Sequence, residues 1–148
     1  MSQQNVEAVK RLFDAVARRD QAALREAYHP EIVIHEASSL PYGGEYHGHN
    51  GAIEHVHGFY RTWEKLKPRE LLEEAVREHP PIILETTQEY VVIMAHNMAV
   101  APRSRRTLNL PEVFIFKVQD GSVIESWMFH QDTVAILDFL KEAQQEIP

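Results

Sequence analysis

What most limits the fold of this chain is where its β-forming segments fall. From Pro80-Pro81 onward the sequence is a succession of strand-like runs: Ile82 to Thr86, Glu89 to Val100, Pro111 to Val118 and Val123 to His130. Each is rich in β-branched and aromatic residues. Asp120-Gly121 reads as the hairpin turn between the last two. Before Pro80 the periodicity is mostly helical. Val6, Val9, Phe13 and Val16 share a stripe that Leu12 widens, over residues 5–18. Asp20 caps a short second helix running to about Tyr28, which His29-Pro30 stops. Glu31 to Glu36 alternates as a strand, with Ile32, Ile34 and Glu36 on one face and Val33 and His35 on the other. Ser38 to Gly44 reads as a loop, and Asn50 caps a third helix that turns Ile53, Val56, Tyr60 and Trp63 inward. Residues 69–78 follow Pro68 and look locally helical, but a strand there stays open. Asp132 caps a terminal helix bearing Val134, Leu137 and Leu140.

Helices first, one strand, one helix, then a run of antiparallel strands is an α+β order rather than an alternating one. A sheet covered by helices on one face leaves a cavity between the layers, where small ligands bind. The length of 148 residues suits one domain spanning 1–148. Hydrophobic and charged fractions of 44% and 25% are those of a soluble globular chain. The net charge of −7 disfavours nucleic acid, and the short basic cluster Arg103, Arg105 and Arg106 reads as a solvated hairpin tip. No cysteine is present, so thiolate chemistry and disulfides drop out. The N-terminus has neither a basic start nor an apolar run, and no stretch is long enough to span a bilayer, which makes a cytoplasmic protein the expectation.

Three stretches together resemble a known family. They are Tyr28-His29-Pro30-Glu31-Ile32-Val33-Ile34-His35-Glu36; Leu40-Pro41-Tyr42-Gly43-Gly44-Glu45-Tyr46-His47-Gly48; and Asp120-Gly121-Ser122-Val123-Ile124-Glu125 through Trp127 to Asp132. Their order and spacing resemble the SnoaL-like, ketosteroid-isomerase-like branch of the nuclear-transport-factor-like superfamily. The resemblance implies a cone-shaped, curved, mixed or antiparallel sheet wrapped on one face by three or four helices. It also implies a homodimer through the outer face of the sheet, which Trp127 and Phe129 would suit. Family members include polyketide cyclases, isomerases, dehydratases, epoxide hydrolases and proteins without catalysis, so the fold leaves the reaction open.

The resemblance puts a proton-shuttling carboxylate at Glu36 and a general acid/base at Asp132. Read as residues alone, Glu36 is a strand-end carboxylate that an apolar pocket would lift, and Asp132 is a helix cap. His130, near Asp132 at the end of the last strand, and mid-strand His96 are candidate proton carriers. Tyr42, Tyr60, Trp63, Phe114 and Met128 would line the cavity. Among His47, His49, His55 and His57, the helical pair is about 200° apart around the axis and cannot share an ion, and no metal motif appears. Neither a metal nor a cofactor is expected. The first helix offers Phe13 where ketosteroid isomerases carry a tyrosine donor, which argues against steroid isomerisation. The central strands carry His96 and Glu112 but lack the Asp-Arg-Asp set of limonene epoxide hydrolases. The resulting expectation is acid/base chemistry (isomerisation, cyclisation or dehydration) on an apolar carbonyl compound. The alternatives are a non-catalytic binding domain and a hydrolase whose carboxylate–His pair activates water.

Overall fold

The structure, a computed structural model, describes residues 2–148, with Ser2 seen through its backbone alone. Helix α1 (Ser2–Arg18) buries Val6, Val9 and Leu12 and ends where Arg19 turns left-handed at φ 54°. Asp20 then caps α2 (Gln21–Ala27), its Oδ1 accepting from the Ala23 amide at 3.0 Å. The chain passes without a loop into β1 (Tyr28–Glu36), three residues earlier than the alternation suggests. Ile32, Ile34 and Glu36 face inward, as the pattern requires.

The next stretch differs from expectation. The loop expected over Ser38 to Gly44 is present up to Gly43, but it leads into an unexpected short strand, β2 (Gly44–His47), antiparallel to β1, with Glu36 opposite Gly44 and Val33 opposite His47. Gly44 has φ 112°, which a side chain would resist. Helix α3 (Gly48–Trp63) starts before Asn50, and His47 at its cap makes no side-chain cap bond. Asn50 instead accepts from Arg25 Nη2 at 3.3 Å. Residues 69–78 are a helix, α4 (Arg69–Glu78), none of whose residues is buried.

Strands β3 (Ile82–Thr86), β4 (Tyr90–Val100), β5 (Thr107–Gln119) and β6 (Ser122–His130) complete one six-stranded sheet in the order β2-β1-β6-β5-β4-β3. Every neighbouring pair is antiparallel except β1 with β6. Asp120 (φ 53°) and Gly121 (φ 77°) form the two-residue turn between β5 and β6, both left-handed as a type I′ hairpin needs. A register shift between Lys117 and Val118 puts Val123, fully buried, under the helices in place of Ile124. The β4–β5 connection holds the arginine cluster against the C-terminus: Glu146 accepts from the Arg103 and Ser104 amides at 2.8 Å, and Arg106 pairs with Glu142.

Asp132 caps α5 (Thr133–Gln144), accepting from the Ala135 amide at 2.9 Å. The buried stripe of α5 is Ile136, Phe139, Leu140 and Ala143; Val134, in the first turn, is 66% exposed. One core joins α1, α2, β1 and α3 to the inner face of the sheet, and a second joins α5 to Leu40, Tyr42, Trp63, Leu66 and Leu108. On the outer face Trp127 stacks on His35 at 5.4 Å and Phe129 is 53% exposed. Among the described residues, no helix is long and apolar enough to cross a membrane.

Candidate functional site

Between the helices and the inner face of the sheet lies a cavity of about 420 Å³. Phe13, Tyr60, Trp63, Phe114, Phe116 and Met128 supply apolar wall, and Glu36, Tyr42, His55, Lys67, Glu112 and His130 supply polar groups. Phe114 and Phe116 lie parallel, with Phe13 edge-on to both. The three rings pack on one another as an aromatic cluster at the cavity wall.

Glu36, at the end of β1, is the centre of the polar set. Oε1 is 2.8 Å from His130 Nε2 and accepts from the Ala37 amide at 3.0 Å; Oε2 is 3.1 Å from His55 Nε2. An ionised carboxylate only accepts, so both imidazoles present an N–H to it. The carboxylate oxygens have about four lone-pair sites, and these three donors leave one open, on Oε2. Burial alone would raise the Glu36 pKa, but the hydrogen bonds from His130 and His55 outweigh it and hold the group below its ordinary value. The expected lift therefore does not occur, and Glu36 stays ionised in an apolar setting.

The charge that holds it comes from His130. Burial opposes protonation of this ring, yet Glu112 and Glu36 on its two sides raise its pKa to about 9. His130 Nδ1 lies 3.3 Å from Glu112 Oε2, close enough to pair but off the line of a good hydrogen bond, so this N–H is the less firmly engaged one. The side chains of His130 and Glu36 are 4% and 2% exposed, which makes Glu36–His130–Glu112 a desolvated carboxylate–imidazolium–carboxylate row. Register explains the row: His130 is opposite Glu112 on neighbouring strands, and β1 runs parallel to β6, bringing the two strand ends together.

Tyr42 adds a donor. Its hydroxyl accepts from Trp63 Nε1 at 2.7 Å, which leaves its own proton for another partner. Burial, little offset by the Trp63 bond, keeps the phenol protonated well beyond its ordinary range. Gly58 makes this placement possible, because a Cβ there would come 2.8 Å from Tyr42 Cβ. Tyr60 is already committed, donating to Val16 O with Arg19 4.2 Å above its ring.

A model of the SnoaL-like domain matches residues 9–126. The chain belongs to the SnoaL-like family. His130 and Asp132 lie just beyond the matched residues. Solved structures agree on the nuclear-transport-factor-like cone. The protein TerC, co-crystallised with polyporic acid, superposes with a TM-score of 0.73 at 19% identity, covering 93% of this chain and 98% of its own. A protein of unknown function of the same fold from Burkholderia pseudomallei K96243 gives 0.72 at 20%, covering 95% and 98%. A candidate SnoaL-like polyketide cyclase from Jannaschia sp. CCS1 gives 0.58 at 24%, covering 93% and 91%. No curated protein matches the chain.

Within this SnoaL-like frame the other nominated residues separate. Phe114, Met128, Tyr42, Tyr60 and Trp63 all border the cavity. Asp132 does not; it is exposed and spent as a cap, because the strand-to-helix turn points its carboxylate at the amides of α5. His96 borders the cavity, but its ring stacks on His79 at 4.4 Å and its Nδ1 is 2.8 Å from Asn109 Oδ1, so it has no contact with the Glu36 cluster. His47 and His57 are exposed, and His49 bonds the Tyr28 carbonyl at 2.8 Å. Three members had no catalytic or lining role from sequence: His55, weighed only as a metal ligand, Glu112, noted only on its strand, and Lys67. Glu112 had a signal, a lone acid two and four residues from Phe114 and Phe116 on the inward alternation.

Proposed function

We propose that this SnoaL-like protein is a small cofactor-free enzyme that moves a proton next to the carbonyl of an apolar compound, in an isomerisation, cyclisation or dehydration. The observation that carries the reading is the buried Glu36 carboxylate, ionised between two imidazoles, with one lone pair of Oε2 open beside an apolar cavity. Glu36 Oε2 would take the proton from the carbon beside the carbonyl. Tyr42 O–H would donate to the carbonyl oxygen as it becomes an enolate, supplying a donor that Phe13 lacks. His130 would hold Glu36 ionised until the substrate arrives. Returning the proton to another carbon isomerises the substrate, expelling hydroxide as water dehydrates it, and attack of the enolate on a second carbonyl cyclises it.

The imidazole clamp sacrifices base strength for assured ionisation, and that same fact favours a second reading, a binding domain in which Glu36 is only a hydrogen-bond acceptor. A test separates the two. The protein is incubated in D₂O with cyclic enones and aryl ketones, and proton loss at the carbon beside the carbonyl is followed by NMR. The wild type is expected to exchange it, with the rate falling about 100-fold or more in Glu36→Gln. Exchange no faster than buffer across the panel would leave binding as the role. A carboxylate–His pair activating water remains the hydrolytic variant, marked by ¹⁸O from solvent in the product.

The same reading includes a homodimer. Trp127 and Phe129 lie on the outer face, Phe129 53% exposed, and pairing of two such faces would bury them. A cytoplasmic setting fits the cysteine-free chain.

A further inference from the structure

We propose that Lys67 is the selectivity group of this cavity, anchoring an acidic oxygen of the bound molecule (an enolate, phenolate or carboxylate). The proposal rests on the cavity being a small-molecule site, but on no chemistry at Glu36.

The backbone fixes Lys67 from two sides. The turn after α3 is closed by the Leu66 amide donating to Trp63 O at 2.8 Å, and it is pinned to β4 by the Val100 amide donating to Leu66 O at 2.8 Å. This directs the side chain along the cavity wall, with Nζ 4.7 Å from the centre of the Trp63 ring. Nζ donates to Asn97 Oδ1 at 2.5 Å and to Met98 O at 2.6 Å. Both acceptors are neutral. An ammonium has three protons, so one has no oxygen acceptor, only the face of the Trp63 ring beside it.

Lysine is rarely buried without a partner of opposite charge, because removing an ammonium from water is costly. Among the described residues, no carboxylate lies within 4.0 Å of Lys67 Nζ. Glu112 acts on it only through space, and its nearer partner is His130. Glu36 is likewise engaged, by His130 and His55. Glu36, His130 and Glu112 together carry one net negative charge that offsets Lys67 through space, but the direct hydrogen bonds of Lys67 go to neutral oxygens only. Burial lowers its pKa to about 8, a cost that an anion in the cavity would relieve. A carboxylate or enolate oxygen has both the charge and the lone pair for the remaining N–H.

The experiment uses two matched pairs of flat probes at pH 7, titrated calorimetrically into the full chain. One pair is 2-naphthoate with 2-naphthamide; the other is 2-hydroxy-1,4-naphthoquinone, whose enol is ionised, with its methyl ether. At least one ionised probe should bind the wild type about tenfold or more tighter than its neutral partner. Lys67→Met should lower the ionised probe to the affinity of the neutral one. Asn97→Asp, which sets a carboxylate against Nζ with the lysine still present, should abolish the preference as well, and it serves if Lys67→Met does not fold. Equal affinities within both pairs, no binding of any probe at millimolar concentration, or a preference that survives Lys67→Met would overturn the proposal. Failure of the acid/base reading looks different: D₂O exchange would be absent while the preference for ionised probes persisted, including in Glu36→Gln.

Discussion

Glu36 and Asp132 stand at corresponding places, at or just past the carboxyl ends of β1 and β6, neighbouring strands that run parallel. Both are acids next to a change of secondary structure. Glu36 is followed by a turn that folds back as β2, which keeps its side chain on the inward phase of the strand. Asp132 is followed at once by α5, whose unsatisfied amides take its oxygen. What surrounds the strand end decides the fate of the carboxylate. One joins a buried charge row, and the other trims a helix at the surface.

The contrast predicts unequal costs. The largest should come from His130→Ala, which leaves Glu36 and Glu112 buried without their shared cation. We expect about 3–5 kcal/mol of lost stability in urea unfolding, and a cost no greater than that of Asp132→Ala would erase the distinction. Glu36→Gln keeps the shape but removes the charge that His130 and His55 face. It should cost about 1–3 kcal/mol by the same measurement, while D₂O exchange falls with it.

The pH dependence follows from the same row. His130 has its folded pKa raised to about 9 from an ordinary 6.5. Its contribution is therefore complete below 6.5 and is lost as pH rises through 9. Glu36 has its folded pKa lowered from 4.5, so its contribution is complete above 4.5 and is lost as pH falls through the lowered value. Thermal melts should show a maximum between these limits, and the alkaline fall should flatten in His130→Gln. Lys67, lowered to about 8 from 10.5, gains stability as pH rises above 8 and partly offsets the fall there. A wild-type melting curve level from pH 6.5 to 8 would therefore contradict the raised imidazole.

Smaller effects test the periphery. Trp63→Phe removes the donor to Tyr42 and should cost about 1 kcal/mol, with weaker binding of neutral carbonyl probes. Asp132→Ala should cost about 1 kcal/mol, and Asp132→Asn only a few tenths, since either Asp or Asn can cap. Both should leave D₂O exchange unchanged; an effect on exchange would return Asp132 to the chemistry.

The helix caps at Asp20 and Asp132, the Asp120-Gly121 turn and the inward phase of Ile32, Ile34 and Glu36 were legible because each rests on local chemistry. β2 was not, since a four-residue strand containing Gly44 carries almost no period of its own and exists by pairing with β1. Residues 69–78 took the helical option, and with no residue buried there, local propensity decides. At the site, Glu36 was legible and its neighbours were not. His55 reads in sequence as one of a helical pair that cannot share an ion, and only the packing of α3 on β1 brings it to within 3.1 Å of Glu36. Glu112 and Lys67 acquire meaning from strand register and from one loop hydrogen bond, neither of which a linear pattern contains.

The parallel pairing of β1 with β6 also has a bearing on biosynthesis. It brings Glu36 to His130 across 94 positions of sequence, and α3, β4 and β5 lie between them along the chain. Closing so long a loop is entropically slow and depends on intermediate strands being paired first. While the ribosome still holds the last segment, the nascent chain has Glu36 without its cation. The charge row can therefore be completed only after nearly the whole polypeptide has emerged, and any chain released short of β6 lacks it.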